Sequence, residues 1–85
     1  MYTPDFFLTN GIVIETKGRF TALDRKKALA MVEQHGQIDY RLLFMRDNRL
    51  SRSSKTRYSQ WAKKHSIPYA IGRVPAEWFL PQPVK

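Results

Sequence analysis

The segment TPDFFLTNGIVIETKG, Thr3 to Gly18, most constrains what this chain can fold into. Two apolar runs flank Asn10-Gly11, a dipeptide typical of tight hairpin turns, so a β-hairpin is expected. Yet Asp5, Glu15 and Lys17 stand among Phe6, Phe7, Leu8, Ile12, Val13 and Ile14. Burying ionised groups in a sheet costs several kcal/mol unless each finds a partner or a metal, so the three charges mark a candidate site.

Loop length decides which side chains share a face. A two-residue loop of Asn10-Gly11 pairs Thr9 with Ile12, leaves Asp5 opposite Thr16 and puts Asp5 and Glu15 on opposite faces. A three-residue loop, Thr9-Asn10-Gly11 with Gly11 in the left-handed position, pairs Leu8 with Ile12 and sets Asp5 opposite Glu15. Lys17 then shares their face. Both registers are sterically sound, and the second is expected because only it gathers two carboxylates and an amine. The other face would present Phe6, Leu8, Ile12 and Ile14 for helices to cover.

Downstream, Thr21 with Asp24 three residues later forms a weaker capping box, and Gly36 ends the segment, so Ala22 to His35 is expected to be helical with Leu29 and Val32 inward. Gln37 to Met45, with the run Leu42-Leu43-Phe44-Met45, reads as a strand parallel to the one before the helix, which makes the sheet mixed. Arg46 to Ser54 reads as a loop, Lys55 to His65 as a helix and Ile67 to Ile71 as a last strand, which Pro68 confines to an edge. Pro75 is suited to start one helical turn through Trp78-Phe79. The expected class is α/β, a small mixed β-sheet flanked by helices.

At 85 residues the chain is expected to form one domain, 1–85, with an irregular tail from about residue 80. Its 15 Lys and Arg against 7 Asp and Glu suit a polyanionic partner, nucleic acid ahead of a membrane surface. No apolar run approaches the roughly 20 residues of a transmembrane helix, and no basic-then-apolar leader is visible, so a cytoplasmic protein without a membrane partner is expected. The absence of cysteine excludes thiolate metal sites and leaves carboxylates and two histidines, which favours hard cations such as Mg²⁺.

Phosphodiester hydrolysis asks for a divalent ion to polarise a phosphate oxygen and acidify a water, with a cation near the developing charge. Asp5 and Glu15 would ligate the ion, the backbone carbonyl of Thr16 would add an oxygen, and Lys17 would position the attacking water or stabilise the pentacovalent phosphate.

Pro4-Asp5, nine intervening residues and Glu15-Thr16-Lys17 resemble the PD-(D/E)xK nuclease motif. With DRKKAL, EQH, YRLLF and VPAEWF in that order, the chain resembles the phage endonuclease I family of Holliday-junction resolvases from Tyr2 to about Phe79. The resemblance implies a restriction-endonuclease-like core, dependence on Mg²⁺ or Mn²⁺ and structure-selective cutting of branched DNA in the bacterial host cytoplasm. The family's metal-binding aspartate and glutamate fall on Asp5 and Glu15, and its catalytic lysine on Lys17. Family members carry a segment before this point, with a further active-site glutamate and elements exchanged between subunits in a dimer; here Met1 to Pro4 precede Asp5. Two arrangements are open: a single-metal site that nicks one strand, or a replacement carboxylate from Glu33, Asp24 or another chain.

Seven basic residues, Arg46, Arg49, Arg52, Lys55, Arg57, Lys63 and Lys64, face the single acid Asp47 between positions 46 and 64. The interleaved Ser51, Ser53 and Ser54 favour phosphate contact over plain solvated surface. Arg19, Arg25, Lys26 and Lys27 follow the second strand; Arg19, Lys26 and Lys27 join the expected DNA-binding set with Arg46, Arg49, Arg52, Lys55 and Arg57. Tyr58, Trp61 and Trp78 read as core, and His35 and His65 as helix-end residues. A metal-dependent DNA endonuclease acting on phage or foreign DNA is the expected function. A noncatalytic DNA-binding module is the alternative, favoured if Lys17 turns away onto a carboxylate outside the trio, and a basic RNA binder ranks last.

Overall fold

The computed structural model describes residues 5–81. Strand β1 (Phe6–Phe7) pairs antiparallel with β2 (Ile12–Lys17), Phe6 opposite Ile14 and Phe7 opposite Val13. The Leu8 N–H donates to the Ile12 carbonyl at 2.9 Å and the Gly11 N–H to the Leu8 carbonyl at 3.0 Å. Gly11 has φ +93°, so the loop is Thr9-Asn10-Gly11 with glycine in the left-handed position, as the three-residue register requires.

Helix α1 (Ala22–Gln34) starts at a complete capping box: Thr21 Oγ1 accepts from the Asp24 N–H, and Asp24 Oδ2 accepts from the Thr21 N–H. It returns the chain to β3 (Asp39–Phe44), which lies parallel to β2. Helix α2 (Tyr58–Lys64) then leads to β4 (Tyr69–Ile71), parallel to β3, and a 3₁₀ turn (Ala76–Phe79) follows. The sheet order β1-β2-β3-β4 makes the sheet mixed and sets β4, just after Pro68, on an edge.

Each face of the sheet has its own core. On one side Val13, Tyr40, Leu42 and Phe44 meet Ala28 and Met31 of α1 and Tyr58, Trp61 and Ala62 of α2. Phe20, in the link from β2 to α1, lies against Phe44, Tyr58 and Trp61 with ring centroids 5.0, 5.6 and 4.9 Å away, and its N–H donates to the Tyr58 hydroxyl. On the other side Ile12, Ile14, Leu43 and Ala70 bury Trp78. Asn10 Nδ2 donates to the carbonyls of Trp78 and Leu80 at 2.6 and 2.7 Å, tying the hairpin turn to the 3₁₀ segment.

Three expectations need correction. The helices cover the Val13 face, while Ile12 and Ile14 are covered by Trp78 and Phe6 stays half-exposed. Ile12, Val13 and Ile14 make the first half of β2 apolar on both faces, and the helices cover the face that also carries Glu15 and Lys17. In α1, Ala28 and Met31 are buried and Val32 packs against that core as expected, while Leu29 is exposed. Helix α2 begins at Tyr58 rather than Lys55: the Leu50 N–H donates to the Thr56 carbonyl and the Tyr58 N–H to the Asn48 carbonyl, so Thr56 and Arg57 belong to a folded loop.

Candidate active site

Continuing the β1–β2 register by one residue sets Asp5 opposite Glu15. Asp5 Oδ2 accepts from both the Thr16 hydroxyl, at 2.7 Å, and the Thr16 N–H, at 2.8 Å. The Thr16 hydroxyl, then its N–H, with a smaller pull from Lys17, outweigh desolvation and hold the Asp5 carboxyl below its ordinary value. Thr16, expected from sequence only as a backbone oxygen, is thus the residue that fixes Asp5. No hydrogen bond from a described residue reaches Asp5 Oδ1.

Glu15 and Lys17 are half-buried on the face that α1 covers. Lys17 Nζ lies 3.7 Å from Glu15 Oε1 and 3.2 Å from Asp24 Oδ1. It therefore stays within the trio while also pairing outside it. Burial raises the Asp24 carboxyl, but the Thr21 N–H and hydroxyl and then Lys17 outweigh it, and the group titrates below its ordinary value. A groove of about 380 Å³ opens beside this cluster, its lining including Glu15, Lys17, Asp24, Lys27, Met31 and Tyr40. Glu33 is exposed and does not line it. Among the described residues no group of three or more acids or histidines is gathered tightly enough to hold an ion by itself.

The expected DNA-binding side chains fall in three places. Lys26 and Lys27 are exposed on α1, whereas Arg25 turns back and donates from Nη1 to the Phe20 carbonyl at 2.7 Å. Arg46, Arg49, Arg52, Lys55 and Arg57 are exposed along the loop between β3 and α2, with Arg49 and Arg57 facing each other across an antiparallel bridge. Arg19 is exposed just beyond β2. Lys63 and Lys64 instead lie in the last turn of α2, where cations complement the helix dipole. Asp47 holds the loop on α2: Oδ1 accepts from the Ser59 N–H at 2.9 Å and Oδ2 from the Ser59 hydroxyl at 2.6 Å.

Parallel β2 and β3 end at the same side, with Lys17 opposite Phe44, so the basic loop leaves the sheet beside the acid–lysine cluster. Open sheets of this kind receive ligands at the carboxyl ends of their strands. An ammonium between Glu15 and Asp24, with Asp5 held on neighbouring Thr16 and exposed arginines at the same sheet end, suits a phosphodiester better than a neutral ligand.

The phage endonuclease I family profile matches residues 1–84. Endonuclease I of Escherichia phage T7 is 46% identical over 78 residues, which cover 91% of this chain and 52% of that protein. Endodeoxyribonuclease 1 of Enterobacteria phage T3 is 47% identical over 76 residues, 88% of this chain and 50% of that protein. The chain spans about half the length of the curated relatives it matches.

Proposed function

The chain belongs to the phage endonuclease I family, and from that premise we propose that it is a metal-dependent endonuclease hydrolysing phosphodiester bonds in phage or branched DNA. The observation that supports the proposal is the hairpin register, Phe6 opposite Ile14, which, continued by one residue, would bring Asp5 opposite Glu15, with Lys17 lying 3.7 Å from Glu15. The two relatives are named as an endonuclease and an endodeoxyribonuclease, which supports DNA as the substrate.

The donor set fits Mg²⁺ or Mn²⁺. Asp5 is held ionised, Glu15 adds a second hard oxygen, and the Thr16 carbonyl a third. With only these from the protein, water and DNA phosphate would complete the shell, as Mg²⁺ prefers. When bound, the ion polarises a phosphate oxygen and lowers the pKa of a coordinated water. Asp5 and Glu15 hold it, Thr16 orients Asp5, and Lys17 orients the attacking water or donates to the phosphate oxygen on which charge develops. Arg19, Lys26, Lys27, Arg46, Arg49, Arg52, Lys55 and Arg57 hold the DNA backbone without reading its sequence. The reaction belongs in the cytoplasm of the bacterial host, with a homodimer as the form that cuts both strands.

A second reading, a noncatalytic DNA-binding module, draws on one observation: Lys17 lies closer to Asp24 than to Glu15. Incubating supercoiled plasmid with the chain and Mg²⁺ or Mn²⁺ separates the two. Nicked circles support a single-site endonuclease and linear product a cooperating dimer. Intact plasmid that still shifts on a gel would leave the binding module.

A further inference from the structure

The three parallel strands end in register, Lys17 opposite Phe44 and Phe44 opposite Ile71. The ladder runs one residue further in the same pattern, the Met45 N–H donating to the Lys17 carbonyl and the Gly72 N–H to the Phe44 carbonyl. Two residues beyond each strand end stands an arginine: Arg19 after β2, Arg46 after β3 and Arg73 after β4. All three are exposed, and among the described residues none of their side chains has an ion pair or hydrogen bond.

Each of these arginines stands in the bend that follows its strand, so three exposed cations gather at one end of the sheet, an arrangement that suits a polyanion. Adjacent strands lie about 4.8 Å apart, so the three strand ends that carry these bends span roughly 10 Å. Three cations along one sheet end suit the closely spaced backbone phosphates of a DNA strand. The row starts beside Lys17 and leads away from it across the sheet end.

We infer that Arg73 is a DNA-contacting residue, and that Arg19, Arg46 and Arg73 form a track at the carboxyl ends of β2, β3 and β4 that grips the backbone of one strand leading from the cluster at Lys17. This rests on the proposal that the chain binds DNA and holds whether or not it cuts. Arginine suits the task because its planar fork engages phosphate oxygens in pairs.

The test is equilibrium binding of the full chain to a short fluorescein-labelled DNA duplex over a series of salt concentrations, with metal withheld so that nothing is cut. Each phosphate contact contributes about −0.9 to the slope of log K against log salt, so Arg73→Ala should flatten the slope by about 0.9, as should Arg19→Ala and Arg46→Ala, and the triple variant by about 2.7. Arg73→Lys, which keeps the charge, should hold most of the slope, and Lys63→Ala, at the other end of the sheet, should leave it unchanged. Melting curves of the variants report that the fold is kept. If wild type binds and Arg73→Ala matches wild type or Lys63→Ala in slope, the track is wrong while the endonuclease proposal stands. If wild type does not bind DNA, both fall.

Discussion

Lys17 Nζ is held 3.2 Å from Asp24 Oδ1, while the other oxygen of the same carboxylate caps α1 through Thr21. One side chain therefore fixes both the helix start and the amine that lies 3.7 Å from Glu15. Asn offers a single acceptor oxygen and no charge, so Asp24→Asn cannot serve both partners. Single-turnover DNA cleavage should fall about 10- to 100-fold with DNA affinity kept, the usual loss when a supporting partner is removed. In a Lys17→Ala background the same change should cost no further rate, because both act through one group. A multiplied loss would mean that Asp24 acts through the fold instead.

The lone acid of the basic loop has a structural task. Asp47→Ala removes both bonds to Ser59 at the start of α2. Losing such a cap costs about 1 kcal/mol. In a domain of this size that lowers Tm by roughly 4–8 °C in a thermal melt. An unchanged Tm would mean that the loop holds α2 by other contacts.

Asn10 joins chain segments far apart in sequence. Asn10→Ala deletes its bonds to Trp78 and Leu80, worth about 1–2 kcal/mol together. Trp78 should then gain solvent exposure, seen as a red shift and easier quenching of its fluorescence, while Thr9→Ala should leave both unchanged.

Acid should act on the site before it acts on the cores. Asp5 and Asp24 both titrate below their ordinary values when folded. Their contributions are therefore complete above the unfolded value of about 3.9 and are lost as pH falls through the folded values. Tm should be flat between about pH 7 and 5 as far as these groups are concerned, then drop below about pH 4. Thr16→Val, which deletes the strongest bond to Asp5, should make that acid drop smaller. A Tm that rises on acidification below that point would contradict the assignment.

Where one residue type can serve one purpose only, the sequence is explicit. The register at Asn10-Gly11 follows from asking which loop joins Asp5, Glu15 and Lys17, and the start of α1 from Thr21 and Asp24. Parallel pairing of β2 and β3 follows from the helix between them. The side of the sheet that the helices cover is not readable, because Val13 and its neighbours Ile12 and Ile14 are equally apolar. Phe20 falls outside any periodic segment, so its burial among Phe44, Tyr58 and Trp61 leaves no pattern in the chain. Thr16 on Asp5 and Asp24 on Lys17 are contacts of the folded hairpin and helix start, which spacing alone does not resolve. Arg73 looks like any basic residue after a short strand until parallel pairing brings the end of β4 beside those of β2 and β3, which Arg19 and Arg46 follow.

The most direct test of the central claim compares wild type with Glu15→Gln in single-turnover cleavage of plasmid DNA in Mg²⁺, with a gel shift on the same samples. The amide keeps the shape of Glu15 but removes the charge that would hold the ion. Wild type should cut, and Glu15→Gln should bind as tightly yet leave the plasmid supercoiled. Cutting by Glu15→Gln at the wild-type rate would contradict the assignment of Asp5, Glu15 and Lys17 as the phosphodiesterase site.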